Sequence, residues 1–82
     1  GSLGTSAVYP RELVKRVIQS ESAALIIGHT HPSGTVQPSH SDRAITTKIK
    51  NAMDTIDVDL LDHVIIGNGS EEYYSFTDHH LL

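Results

Sequence analysis

The sequence predicts a mixed α/β domain in which helices pack on a small sheet. Three observations carry that prediction. Apolar residues recur at helical spacing in two segments, Leu13 to Ile18 and Ile45 to Ile56, whereas Ala23 to Ile27 and the stretch from Val58 to Gly67 are short and almost continuously apolar. Their order (helix, strand, helix, strand, strand) is one that lays helices onto a sheet. With 82 residues there is room for a single domain, whose core is marginal because so much of a small domain stays at its surface.

Each element has its own signal. Residues 1–9 show no clear period and are expected as an extended segment. Pro10 suits the first position of a helix, where its missing N–H would have no partner anyway, and Glu12 suits the positive end of the helix dipole. Leu13, Val14, Val17 and Ile18 then share one face, and the helix is expected to end near Ser20. Ala23-Ala24-Leu25-Ile26-Ile27, closed by Gly28, reads as a strand buried on both faces, which puts His29 at its C-terminal end. Ile45, Ile49, Ala52, Met53 and Ile56 form one stripe at helical period and predict a second helix. Val58 to Gly67 predicts a second strand. "GNGSEE" is a turn signal, and Tyr73, Tyr74 and Phe76 predict a third strand paired with the second.

Composition narrows the function. A hydrophobic content of 38% with 20% charged residues describes a soluble globular chain. No apolar run approaches the roughly 18 residues of a membrane span, and "GSLGTSAVYP" lacks the basic and apolar regions of a signal peptide, so the cytoplasm is the expected compartment and no membrane partner is expected. Without cysteine, any metal has to be held by histidine nitrogens and carboxylate oxygens. A net charge of −4, with six Lys and Arg spread thinly, argues against nucleic acid as a partner, since a phosphate-gripping domain is usually basic.

The chemistry is concentrated in "GHTHPSGTVQPSHSD", Gly28 to Asp42, which holds three of the six histidines. His29 and His31, two apart on an extended segment, point to the same side and can converge just past a strand end. Pro32 stiffens the chain after them and Gly34 permits a sharp turn. Asp42 falls in the first turn of the second helix, close enough in sequence to swing back as an oxygen ligand. Two imidazoles and one carboxylate, with a fourth position left to water, make a catalytic zinc set, and hydrolysis is the reaction it suggests. A plainer reading stands beside it. Ser39-His40-Ser41-Asp42 also has the form of a helix capping box, and histidines two apart in a loop are commonly just solvated.

"HTHPSGTVQPSHSD" has the form H-x-H-P, several residues, then S-x-x-D, and resembles the metal motif of the JAB/MPN metalloproteases, also called JAMM. "HPSG", with "VYPREL" before it and "LLDHVIIG" and "YYSF" after it, is similar to the RadC branch of that superfamily, which carries the old label of DNA repair protein. The resemblance runs along nearly the whole chain. It implies a JAB/MPN-like, cytidine-deaminase-like core, with His29, His31 and Asp42 as zinc ligands and Ser39 as the hydroxyl that steadies a tetrahedral oxyanion. It also implies that residues 1–82 are a single domain truncated at its N-terminus. The family's general-base glutamate comes from an earlier strand, and neither Glu12, placed for a helix first turn, nor Glu21, at the far end of the strand from His29, is a good substitute for it.

Several other residues invite a role. The Asp62-His63 pair could feed the site, although a structural role is the favoured reading. His40 is expected to face solvent, His79 and His80 could bind metal adventitiously, and Tyr73, Tyr74 and Phe76 are read as core and sheet packing rather than as base-stacking residues. The function that follows is a zinc-dependent metallopeptidase or isopeptidase acting on a peptide or protein substrate. The alternative is a non-catalytic, DNA-repair-associated or protein-interaction module that keeps the metal loop as a structural clip. A zinc nucleoside deaminase fits poorly, since its motif needs cysteines. An open sheet edge favours pairing with a second copy of the chain.

Overall fold

A computed structural model describes residues 9–82. The extended segment expected over residues 1–9 lies outside them, apart from Tyr9, whose backbone is extended (φ −100°, ψ 113°). The elements follow the expected order: α1 (Pro10–Gln19), β1 (Ala24–Thr30), α2 (His40–Thr55), β2 (Asp59–Ile66) and β3 (Tyr73–Ser75). Pro10 does open α1 and Glu12 lies in its first turn. The sheet runs β1-β2-β3, with β1 parallel to β2 and β3 antiparallel to it. A parallel pair needs a crossover, and the loop after β1 together with α2 supplies it. The turn between β2 and β3 is closed by Gly67 N–H donating to Glu72 O at 2.8 Å.

The helices and one face of the sheet make the main core. Val17 of α1, Ile49 and Met53 of α2, Val58 and Leu60 are buried together, with Leu13, Val14, Leu25, Ile27, Ile45 and Ile56 packed around them. A second cluster, Ile65, Tyr74 and Phe76, lies against Val36, so the long loop between β1 and α2 is pinned to the sheet by one apolar side chain. The expectation of a first strand buried on both faces is not met. Along β1, Leu25, Ile27 and His29 are half-buried while Ala24, Ile26, Gly28 and Thr30 are exposed. The reason is cover: among the described residues both helices lie on one side of β1, against Leu25 and Ile27. Tyr73, read as packing, is likewise 63% exposed, whereas Tyr74 and Phe76 are in the core.

Both helices stop in the same way. Glu21 (φ 55°) and Asp57 (φ 59°) are left-handed, and around them run the paired bonds of a Schellman motif. These are Ser22 N to Val17 O (3.1 Å) with Glu21 N to Ile18 O, and Val58 N to Met53 O (2.9 Å) with Asp57 N to Asp54 O. Glu21 thus has a structural task at the end of α1.

Candidate metal centre

The site forms where the end of β1 meets the start of α2. His29 lies within β1, and His31 follows its last residue. The chain then turns, with Gly34 N–H donating to His31 O at 2.9 Å. Gly34 has φ +86°, and a Cβ there would meet nothing nearer than 4.0 Å, so the backbone angle rather than crowding calls for glycine. The loop delivers Ser39 as the N-cap of α2. Its side chain accepts from Asp42 N–H at 3.0 Å, and its own N–H donates to Asp42 Oδ2 at 2.7 Å, a complete capping box.

The same Asp42 carboxylate faces both histidines. His31 Nε2 is 2.9 Å from Oδ2, His29 Nε2 is 3.4 Å from Oδ1, and the two Nε2 atoms are 3.1 Å apart. Capping box and converging cluster, two readings set against each other in the sequence, coexist because one oxygen serves both. Among the described residues this is the one group of three or more His, Asp or Glu side chains able to share a metal ion.

Whether the cluster suits a metal depends on its protons. His31 Nδ1 lies 3.0 Å from Thr35 O, which can only accept, so that nitrogen carries a hydrogen. His29 Nδ1 is 2.8 Å from Nε2 of His63. Burial is the main force holding His63 well below its ordinary pKa, at about 4, with the neighbouring His29 adding to it against the pull of Asp42 and Asp62. Burial also lowers His29, outweighing the attraction of Asp42. Where each ring carries a single hydrogen, at Nδ1, both Nε2 lone pairs turn toward the Asp42 carboxylate. In a tetrahedral zinc site with bonds of about 2.0–2.1 Å, neighbouring ligand atoms stand about 3.3 Å apart, close to the spacings seen here. Each ring is also held through its other nitrogen, as metal-binding histidines usually are. The donor set fits zinc. Asp42 itself is lowered: partial burial raises it, but hydrogen bonding from Ser39 and the two imidazoles prevail.

His63 is packed and hydrogen-bonded, the structural role favoured from sequence, and it also touches His29 directly, whereas Thr46 behind it was not singled out at all. His63 Nδ1 lies 2.6 Å from Thr46 Oγ1, which donates to Asp42 O at 2.6 Å. A signal existed for both. Thr46 stands on the buried stripe of α2, at helical spacing from Asp42, Ile49 and Met53, so a hydroxyl there needed a partner. His63 pairs with Ile27 in the β1–β2 register, which sets it diagonally beside His29 on the same face. Asp62 is structural, as expected. Its carboxylate accepts from Ser75 Oγ (2.6 Å), Thr77 N (3.0 Å) and His63 N (2.7 Å). His40 is exposed, and His79 stacks on Tyr74 at 4.0 Å with Nδ1 2.9 Å from Ser75 O.

A family profile described as "RadC-like JAB domain" matches residues 1–81. A UPF0758 protein of Coxiella burnetii is 50% identical over 82 residues, covering all of this chain and 36% of that protein. UPF0758 proteins of Alteromonas mediterranea and Shewanella frigidimarina are each 49% identical, over 100% and 95% of the chain and 36% and 34% of the respective relatives. The chain therefore spans about a third of the length of the curated relatives it matches.

Proposed function

Because the chain belongs to the RadC-like JAB domain family, we propose that it is the metal-holding part of a zinc-dependent hydrolase that cleaves a peptide or isopeptide bond. The observation that carries this reading is the convergence of His29 Nε2, His31 Nε2 and the Asp42 carboxylate on one point. A zinc ion held there supplies a water acidified toward neutral pH and a Lewis acid for a carbonyl oxygen.

The residues around it divide the remaining work. His29 and His31 are held by bonds at Nδ1, so both present Nε2. Asp42 is fixed by the Ser39 N–H and offers its carboxylate. Ser39 Oγ spends a lone pair on Asp42 N–H, which leaves its O–H free to donate to an oxyanion as it develops. Asp42 is the single carboxylate of the cluster among the described residues, so the general base comes from outside them. That same fact favours the second reading, a non-catalytic module clipped by its metal loop. A net charge of −4 favours a peptide or protein substrate over a nucleic acid.

Elemental analysis after chelator stripping and reloading tests the metal. The parent chain is expected to take up about one zinc, and His31→Ala and Asp42→Ala to lose it, as removal of one of three protein ligands should dictate. Equal zinc in all three chains, or none in any, overturns the ligand set. Assaying peptide cleavage by this chain joined to the part of the longer relatives that it does not cover then separates hydrolase from clip.

A further inference from the structure

Two polar side chains behind the site are nearly as buried as the core itself, Thr46 at 2% exposure and His63 at 2%. Neither is a ligand, yet they link two that are. Thr46 Oγ1 stands 2.6 Å from Asp42 O and 2.6 Å from His63 Nδ1, and His63 Nε2 stands 2.8 Å from His29 Nδ1. The direction of each bond follows from the first. A carbonyl oxygen only accepts, so the one proton of the Thr46 hydroxyl goes to Asp42 O. The hydroxyl oxygen is then free only to accept, and it takes the Nδ1 hydrogen of His63. A neutral ring carrying its hydrogen at Nδ1 has a bare Nε2, which takes the Nδ1 hydrogen of His29. His29 is left with a bare Nε2 turned to His31 and Asp42.

We propose that Thr46 and His63 form a directional hydrogen-bond relay, anchored on the Asp42 carbonyl, that locks His29 in its Nδ1–H tautomer and keeps Nε2 open as a metal ligand. The opposite direction is disfavoured. It would set a hydroxyl lone pair against the Asp42 carbonyl at 2.6 Å and place a hydrogen on His29 Nε2, where the ligand bond has to form. Rotation of His63 out of line is opposed by its stacking on Phe76, with centroids 4.6 Å apart and planes 18° from parallel. Asp42 therefore acts twice, its carboxylate as ligand and its carbonyl as the end of the relay, so the first turn of α2 sets both the ligand and the tautomer of its partner. Thr46 and His63 are positioning residues. This inference rests on the zinc reading above.

The test uses the 82-residue chain. Long-range 1H–15N spectra of the metal-stripped protein at mildly alkaline pH report each imidazole tautomer, and hydrogen at Nδ1 is expected for both His29 and His63. Competition with a chromophoric chelator then reads zinc affinity. Thr46→Val and His63→Phe are expected to weaken it about 10–100-fold, as loss of a ligand's supporting partner does, while Thr46→Ser, which keeps the hydroxyl, stays within about threefold of the parent. A hydrogen on His29 Nε2 in the parent, or a folded Thr46→Val chain that binds zinc as tightly as the parent, overturns the relay. If Thr46→Val does not fold, the parent tautomers decide alone. A parent that binds no zinc defeats the metal reading, and its tautomer spectrum still upholds or overturns the relay separately.

Discussion

Asp42 shows how one residue can satisfy readings that compete on paper. Its carboxylate closes the capping box with Ser39 and faces His29 and His31, while its carbonyl takes the Thr46 hydroxyl. The cluster of His29, His31 and Asp42 was legible in the sequence because all three lie within fourteen residues, on a turn whose Pro32 and Gly34 announce it. His63 and Thr46 were not, since the first reaches His29 only through strand register and the second sits inside an apolar stripe. Asp62 illustrates a different residue-scale effect. Burial raises its pKa, but hydrogen bonds led by that from Ser75, followed by those from Thr77 and His63, lower it overall. A carboxylate depressed by folding stabilises the fold above its ordinary pKa, and that stability disappears as pH falls through the lowered folded value. Asp62→Asn is therefore expected to cost about 0.5–1 kcal/mol near neutral pH, the scale of a hydrogen bond to a carboxylate that solvent partly screens. Urea unfolding at a series of pH values should show the gap between parent and variant closing below about pH 4, the ordinary range for aspartate. A gap that stays constant into acid would mean that the charge of Asp62 contributes nothing.

At the scale of elements, the helices were readable and their stops only in part. Pro10, Glu12 and the two apolar stripes locate α1 and α2, but neither helix ends on a glycine, the usual mark of a Schellman stop. Glu21 and Asp57 occupy that position instead. They are held there by the paired backbone bonds and, after α2, by Met53 and Val58, which are buried in one cluster on either side of the stop. A left-handed conformation is costly for a residue with a Cβ, less so for aspartate than for glutamate. Glu21→Gly is therefore expected to stabilise the chain by roughly 0.5–1 kcal/mol, after allowing for the greater freedom of glycine in the unfolded state, and Asp57→Gly by less. Thermal unfolding of both variants checks the order. Destabilisation by Glu21→Gly would show that the Glu21 side chain makes a contribution larger than its backbone strain.

For the whole molecule, the sheet is two-sided in a way the sequence obscured. Ala23 to Ile27 is continuously apolar, a pattern that implies cover on both faces, yet Ile26 is 61% exposed, with Ile66 at 48% and Tyr73 at 63% on the same side. Across the sheet Ile65 is fully buried beneath Tyr74 and Phe76. No helix among the described residues is long and apolar enough to cross a membrane. The asymmetry makes a sharp energetic contrast. Ile65→Ala removes a buried side chain and is expected to cost about 2–5 kcal/mol. That is a large share of the roughly 4–12 kcal/mol that a domain of this length commands. Ile26→Thr keeps the β-branch on an open surface and is expected to change stability by no more than about 0.5 kcal/mol. Urea unfolding at low protein concentration measures both. Should Ile26→Thr cost as much as Ile65→Ala, the face is covered in solution, and repeating the measurement across protein concentrations identifies the cover. A cost that grows with concentration means a second copy of the chain lies on the face. A cost independent of concentration means that the chain's own residues cover it.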